Sequence, residues 1–162
     1  MSMRIGQGYD VHAFSDDADR PLVLGGVRIG AGRGLAGHSD ADVVAHALAD
    51  ALLGAAGLGD LGQHFPSSDE TWSGADSIGL LTEVAARVAA AGYRVVNADC
   101  TVVAEGPRLS PHTGEMGKRL SEALGAPVSV KATSTDGLGS IGRGEGIASL
   151  AVALLDAAPA TR

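Results

Sequence analysis

The chain opens on "MRIGQGYDVHAF" (3–14), a strand-like run in which alternate residues share a face, so Asp10 and His12 stand on one side and Val11 on the other. "PLVLGGVRIG" reads as two short strands about Gly25-Gly26, the composition of a tight hairpin. The spacing turns helical in "HSDADVVAHALADALLGAAGLGDLG", where Ser39 or Asp40 is the expected N-cap, acidic residues fall in the first turn and Gly57 stands near the C-terminus. Residues 58–76 are rich in Gly, Ser, Asp and Pro and read as a long loop covering a site. A second helix, "SIGLLTEVAARVAAAGY", ends at Gly92, and "RVVNADCTVVAE" is a strand. "SPHTGEMGKRLSEALG" is a third helix beginning near Pro111, and "PVSVKATST" is a strand. In "GIASLAVALLDAA", Leu150, Val152 and Leu154 alternate with Ser149, Ala151 and Ala153, which favours a strand with one bulky face. The order of three strands, two helices, strand, helix, strand, strand predicts an α+β fold. We expect a mixed β-sheet with helices layered on one face, plus a short hairpin. The length of 162 residues suits one domain, 1–162.

Composition narrows the picture. Aromatic residues make up only 3% and glycine accounts for 24 residues, so the core must be Ala, Val, Leu and Ile packed closely, with small residues permitting close approach of elements and subunits. The net charge of −7, with no Lys/Arg run longer than two, argues against a nucleic-acid or anionic-membrane surface but leaves a small phosphorylated ligand open. Cys100 is the sole cysteine, so no intrachain disulfide can form, and its place in "NADCTVVAE" reads as a buried strand position in a reducing compartment. There is no signal-peptide pattern and no run near the ~18 apolar residues of a membrane span, so a soluble, cytoplasmic protein is expected.

Candidate chemistry begins with Asp10 and His12, a carboxylate and an imidazole on one strand face. His46, inside the first helix, is the candidate third ligand, with Asp42 and Asp50 one turn before and after it. Two imidazoles and a carboxylate suit Zn²⁺ with one position open, and Asp50 would orient His46 through its other ring nitrogen. The same spacing also fits a hydrogen-bonded helix histidine beside a plain Asp10–His12 pair. His38 and Ser39 precede the helix, where unpaired N–H groups would receive a phosphate; the plainer alternative is a cap and a surface histidine. "KATSTDGLGSIGRGEG" (131–146) gathers Thr133, Ser134, Thr135, Asp136, Arg143 and five glycines, suited to phosphate through its backbone and hydroxyls and to Mg²⁺ through Asp136. "AEGPRLSPH" (104–112) sets Arg108 in a rigid loop between two prolines. His64, Phe65, Trp72 and His112 read as loop packing or surface residues.

Taken together, "RIGQGYDVHAF", "GHSDADVVAHALADALLGAAGLGDLGQHFPSSD", "GADS" and "TSTDGLGSIGRGEGIA" resemble the 2-C-methyl-D-erythritol 2,4-cyclodiphosphate synthase family of the non-mevalonate isoprenoid pathway, from about Arg4 to Leu155. The resemblance implies a metal-dependent phosphorus-oxygen lyase, a homotrimer about a central axis with active sites between subunits. It implies Zn²⁺ or another divalent cation on Asp10, His12 and His46, and Mg²⁺ or Mn²⁺ on Asp136 with the substrate phosphates. The substrate would be 4-diphosphocytidyl-2-C-methyl-D-erythritol 2-phosphate, closed to the cyclodiphosphate with expulsion of CMP. His38 and Ser134 match transition-state stabilisers, and Ser39 matches a substrate contact. Asp60, Leu61, Gly62, Phe65, Pro66, Ser67, Ser68 and Asp69 match a substrate-contacting loop. Ala104, Glu105, Gly106, Pro107, Arg108, Leu109 and Ser110, with Thr133 and Thr135, match a cytidine pocket completed by a neighbouring subunit. Arg143 matches a residue lining an axial cavity that in some members holds an isoprenoid diphosphate.

The chain departs from the family pattern at a few of these positions. Asp136 stands where many members carry Glu, shortening the reach by one methylene. Ser134 stands for a common Thr, Ser67 for a common Asp and Arg108 for a common Lys. Ser140 occupies a position near the axial cavity where some members have an aromatic residue. Two other readings of the same residues are a zinc phosphohydrolase that activates water at the open metal position and a non-catalytic trimer binding isoprenoid diphosphate through Arg143.

Overall fold

The computed structural model describes residues 2–30, 33–66, 68–69 and 75–158. Its elements run β1 (Arg4–Ala13), β2 (Leu22–Leu24), β3 (Val27–Ile29), α1 (Val43–Ala56), α2 (Leu61–His64), α3 (Ser77–Ala90), β4 (Tyr93–Val103), α4 (Thr113–Leu124), β5 (Val128–Thr133), α5 (Gly139–Gly142) and β6 (Gly146–Ala157). β1, β6, β4 and β5 form one sheet in that order, while β2 and β3 form a separate hairpin. β6 runs antiparallel to both β1 and β4, and β4 runs parallel to β5. The sheet is therefore mixed, and α4 supplies the crossover that a parallel neighbour requires. α1, α3 and α4 pack together on one face, with α1 against β1, β6 and β4, and α4 against β5. This is the α+β arrangement expected from the order of elements.

The contact of β1 with α1 has no room for side chains on the strand. A Cβ on Gly6 would lie 2.0 Å from the Ala51 carbonyl oxygen, and one on Gly8 would lie 1.8 Å from that of Ala47. Register continues the theme, since Gly6 pairs with Ala153, Gly8 with Ala151 and Asp10 with Ser149. The small residues of β6 thus lie under α1. Its bulky set, Leu150, Val152 and Leu154, pairs with Tyr9, Gln7 and Ile5 on the opposite face. Among the described residues no helix covers that face, and Ile5 is 73% exposed and Tyr9 56%. The bulky face predicted for this strand exists, but it faces away from the helices.

One buried carboxylate joins the hairpin to the helix layer. Asp42 accepts hydrogen bonds from the N–H groups of Gly25 (2.8 Å) and Gly26 (2.7 Å) in the turn and of Val44 and Ala45 (3.1 Å each) at the start of α1. Gly25 and Gly26 both sit at positive φ, 55° and 73°, the conformation a two-residue hairpin turn demands. Burial pushes the Asp42 carboxyl up, and the N–H groups of Gly26, Ala45 and Gly25 work against that rise. The cap is therefore Asp42, not Ser39 or Asp40, and the first turn holds no acidic residue. The lead-in cannot be helical because Ala41 sits at φ 56°. Gly57, at φ 73°, closes α1 as expected.

The remaining differences are of length. α2 and α5 have four residues each, too few to show a helical period, and lie within segments read as loops. Ser67 and Trp72 lie outside the described residues. Cys100 is fully buried on β4, and burial pushes its thiol up to about 12, which makes it an inert core group.

Replacing Gly8 by Ala forces strand and helix apart against backbone and should lower unfolding free energy by about 3 kcal/mol. Gly54→Ala, in α1 with nothing within 4 Å of the added Cβ, should raise it by up to about 1 kcal/mol. Urea denaturation of the two variants checks the pair of opposite signs.

Candidate active site

The closeness of β1 to α1 brings Asp10 and His12 to His46. Asp10 Oδ2 lies 3.2 Å from His12 Nε2 and 3.1 Å from His46 Nδ1, and the two imidazole centroids are 5.9 Å apart. One donor atom from each residue falls within 4.8 Å of the others. Burial works to raise the Asp10 carboxyl, but hydrogen bonds from His12 and His46 outweigh it and hold the group well below the usual carboxylate range. The hydrogen bond to Asp10 pushes His12 above its ordinary value of 6.5, with burial opposing.

The outer hydrogen bonds select which nitrogen of each ring faces the centre. The loop after the hairpin runs beside the end of β1, with Ala36 N–H bonded to the Ala13 carbonyl at 2.8 Å. That places the Ala36 carbonyl 2.6 Å from His12 Nδ1, which must donate to it, leaving the Nε2 lone pair for a metal. His46 Nε2 lies 2.9 Å from Ser77 Oγ and 3.3 Å from Ser39 Oγ, leaving Nδ1 for the same point. Ser77 Oγ in turn donates to Asp40, whose other oxygen accepts the Ser77 N–H at 3.1 Å. The three residues fit a divalent cation: each imidazole has one nitrogen held from outside and the other turned to Asp10. A metal that displaces the protons shared there would meet two imidazole nitrogens and a carboxylate held ionised, a donor set of the kind zinc takes.

Asp50, expected behind His46, does something else. Its Oδ1 accepts the Leu61 N–H at 2.7 Å, tying α2 to α1. Burial raises the Asp50 carboxyl, eased by that N–H. The partner on His46 is Ser77 from the start of α3, 31 positions away, with Asp40 behind it. No local spacing pointed to Ser77; only its place in the "GADS" stretch marked it. The expected phosphate cradle at the start of α1 is also taken, since the Val44 and Ala45 N–H groups bond Asp42. Ser39 sits beside His46 and His38 is exposed at the rim.

The candidate residues of the segments 104–110 and 133–136 form a second locus. The segment 104–110 follows β4 and the segment after Thr133 follows β5, so the parallel pair delivers both to the same end of the sheet. Ala104, Glu105, Pro107, Arg108, Leu109, Ser110, Ala132 and Thr133 line an open cleft of about 310 Å³. Glu105 accepts from Thr135 N–H at 2.7 Å and Thr135 Oγ1 at 3.0 Å, and the former holds this exposed carboxyl below its usual range. Leu109 turns into the core, so only its backbone is available to the cleft. Arg108 Nε donates to Ser110 Oγ at 3.1 Å. Ser134 Oγ donates to Asp136 Oδ1 at 3.2 Å, and Asp136 holds a left-handed φ of 53°. Gly106 lies in the same loop. Arg143 caps α5 and pairs with Glu145 at 2.6 Å. Asp60 caps α2 through Gln63 N–H at 2.9 Å, with Leu61 and Gly62 in its first turn, while Pro66, Ser68 and Asp69 are exposed beyond it. The metal-ligand cluster stands at edge strand β1 and the cleft at edge strand β5, so one chain does not bring the two together.

Ser77→Ala removes the group that fixes the His46 tautomer and should weaken zinc binding by about 10- to 100-fold in calorimetric titration. In the parent protein the same titration should show affinity falling as pH is lowered through the raised His12 value, because protons compete for the ligand nitrogen.

A family model described as the YgbB family matches residues 3–156. A 2-C-methyl-D-erythritol 2,4-cyclodiphosphate synthase of Moorella thermoacetica is 58% identical over 94% of this chain and 94% of its own length. A bifunctional IspD/IspF enzyme of Anaeromyxobacter is also 58% identical, with 93% of this chain aligned to 39% of that longer protein. Among solved structures, the bifunctional IspDF of Campylobacter jejuni superposes with a TM-score of 0.93 at 41% identity, covering 99% of this chain and 44% of that one. IspF of Plasmodium falciparum in complex with CDP gives 0.83 at 32% identity and covers 98% of each chain. Spanned almost end to end by the family model and by relatives more than half identical, the chain belongs to the YgbB family.

Proposed function

We propose that the protein converts 4-diphosphocytidyl-2-C-methyl-D-erythritol 2-phosphate to 2-C-methyl-D-erythritol 2,4-cyclodiphosphate and CMP, as a single catalytic domain assembled into a homotrimer. The observation that carries this reading is the convergence of Asp10, His12 and His46 on one point, in a chain 58% identical to a synthase of that activity's name. An oxygen of the 2-phosphate attacks the β-phosphorus and the bond from that phosphorus to the oxygen bridging the α-phosphate breaks. CMP leaves with the electron pair, and no water is consumed. Two anions must be held together in line, so positioning and charge neutralisation dominate. A divalent cation on the three ligands, zinc by the donor set, would supply Lewis acidity at the β-phosphate, and Mg²⁺ or Mn²⁺ on Asp136 would offset charge on the departing CMP.

The chain's own residues do the rest. The exposed His38 ring and the Ser134 hydroxyl donate to the phosphate oxygens that gain charge. Ser39, beside His46, holds the phosphate near the ligand cluster. The segment Asp60–Asp69 contacts the methylerythritol, and the 104–110 cleft with Thr133 and Thr135 receives cytidine, in keeping with the CDP complex of the Plasmodium falciparum relative. The trimer is supported by the helix-free sheet face, where Ile5, Tyr9, Val11 and Val152 are exposed, and by the split of ligand cluster and cleft between opposite sheet edges. Packing that face about an axis buries these side chains and lets one copy's cleft complete its neighbour's site. Three copies of Arg143, near Ser140, would give the axis an anion site for an isoprenoid diphosphate. The absence of a helix, among the described residues, long and apolar enough to cross a membrane accords with a cytoplasmic enzyme.

The test is ³¹P NMR of the zinc- and magnesium-loaded protein with the cytidyl substrate. Upfield cyclic diphosphate signals with CMP are expected, slowed about 100-fold or more in His46→Ala, with the active species sedimenting at the trimer mass. Inorganic phosphate or a linear product would replace this reading with hydrolysis, and unchanged substrate would replace it with a binding protein.

A further inference from the structure

The short helix α2 is held from outside at both ends. Four residues cannot sustain a helix by themselves. At its start the Leu61 N–H is fixed by Asp50, on the same helix as His46 and one turn beyond it. At its end His64 lies between two groups of opposite character. The Leu58 carbonyl is 2.8 Å from Nε2 and can only accept, so Nε2 carries the proton. The Arg87 guanidinium is 2.6 Å from Nδ1 and can only donate, so Nδ1 offers its lone pair. One tautomer satisfies both. Arg87 is itself held by Glu83, Nε to Oε1 at 2.9 Å, and its guanidinium carbon stands 4.8 Å from the centroid of the Phe65 ring. Phe65 is only 8% exposed and belongs to the core. Thus α3 grips the last residue of α2 and the one after it through a single side chain, while α1 grips the first.

We propose that Arg87 and His64 are positioning residues for the reaction. Their hydrogen bond, acting with Asp50 at the other end, sets α2 and Phe65 at one place relative to the Asp10, His12 and His46 cluster, so that the 60–66 segment meets the substrate already formed. The proposal rests on the reading above that this segment contacts the substrate. The arrangement joins α2 to both helices that carry the His46 environment: α1 bears His46 and Asp50, and α3 bears Ser77 and Arg87. A change in the clamp therefore moves the substrate segment while leaving the ligand cluster in place.

The variants separate clamping from packing. Arg87→Met keeps the aliphatic stem and removes the donor. His64→Leu keeps bulk without either polar role, whereas His64→Gln offers one acceptor and one donor and can replace both. In the full metal-loaded protein, Arg87→Met and His64→Leu should speed hydrogen exchange of the Gln63 and Phe65 amides by about tenfold, the equivalent of one hydrogen bond, and leave α1 exchange unchanged. KM for the cytidyl substrate should rise about tenfold with kcat within about threefold, zinc affinity should stay as in the parent, and His64→Gln should restore KM. Unchanged exchange would overturn the clamp. Faster exchange with unchanged KM, or no rescue by His64→Gln, would overturn the positioning role. A parent protein that releases no CMP would instead overturn the cyclase reading, and the exchange data would still decide the clamp.

Discussion

The site depends on how closely one helix lies against one strand. With no side chain on Gly6 or Gly8, α1 rests on the backbone of β1, and its own contribution at the contact is the carbonyls of Ala47 and Ala51. Two residues beyond Gly8 on the strand stands Asp10, and directly before Ala47 on the helix stands His46. The 3.1 Å between their side chains follows from that packing. The constraint extends to β6, where the small residues Ser149, Ala151 and Ala153 pair with Asp10, Gly8 and Gly6, while on the same face the bulky Ile147 and Leu155 stand on either side of that stretch and are buried. A helix layer built this tightly leaves an apolar sheet face without a cover of its own. The same small residues therefore bear on the ligand cluster and on that exposed face.

Hydrogen bonds around the cluster then choose its chemistry. An imidazole can present either nitrogen, and here the Ala36 carbonyl and the Ser77 hydroxyl each occupy one, so both remaining lone pairs converge. These partners come from distant stretches of chain. The loop bearing Ala36 is aligned by its pairing with the end of β1, and Ser77 is aligned by Asp40, which faces it from the lead-in to α1. Asp42, two residues later, fixes that lead-in by bonding the hairpin turn and the helix start at once. The geometry is thus set by backbone groups and short side chains, which fits a chain with few aromatic residues.

Much of this was legible in the sequence where a signal is local and periodic. Strand alternation placed Asp10 with His12, helical spacing identified α1, α3 and α4, and paired glycines marked the hairpin. The ligand cluster could be suspected but not established, because nothing along the chain says that β1 lies on α1. The same gap hid the insertion of β6 between β1 and β4, a pairing across nearly the whole chain. Helix spacing misassigned Asp50, whose carboxylate is captured by the Leu61 N–H, and propensity misplaced the cap because Ser39 and Asp40 are engaged with His46 and Ser77. His64 gave no sign of its role, since both its partners are defined only by the fold. Resemblance to the family supplied what spacing could not, the assignment of remote loops to one reaction.

The most direct measurement is X-ray absorption at the zinc edge on protein loaded with one equivalent of metal. Two imidazole nitrogens and a carboxylate oxygen at about 2.0–2.1 Å, with one imidazole's scattering lost in His46→Ala, would be the signature of the cluster described here. Sulfur in the first shell, or zinc bound without imidazole scattering, would contradict it.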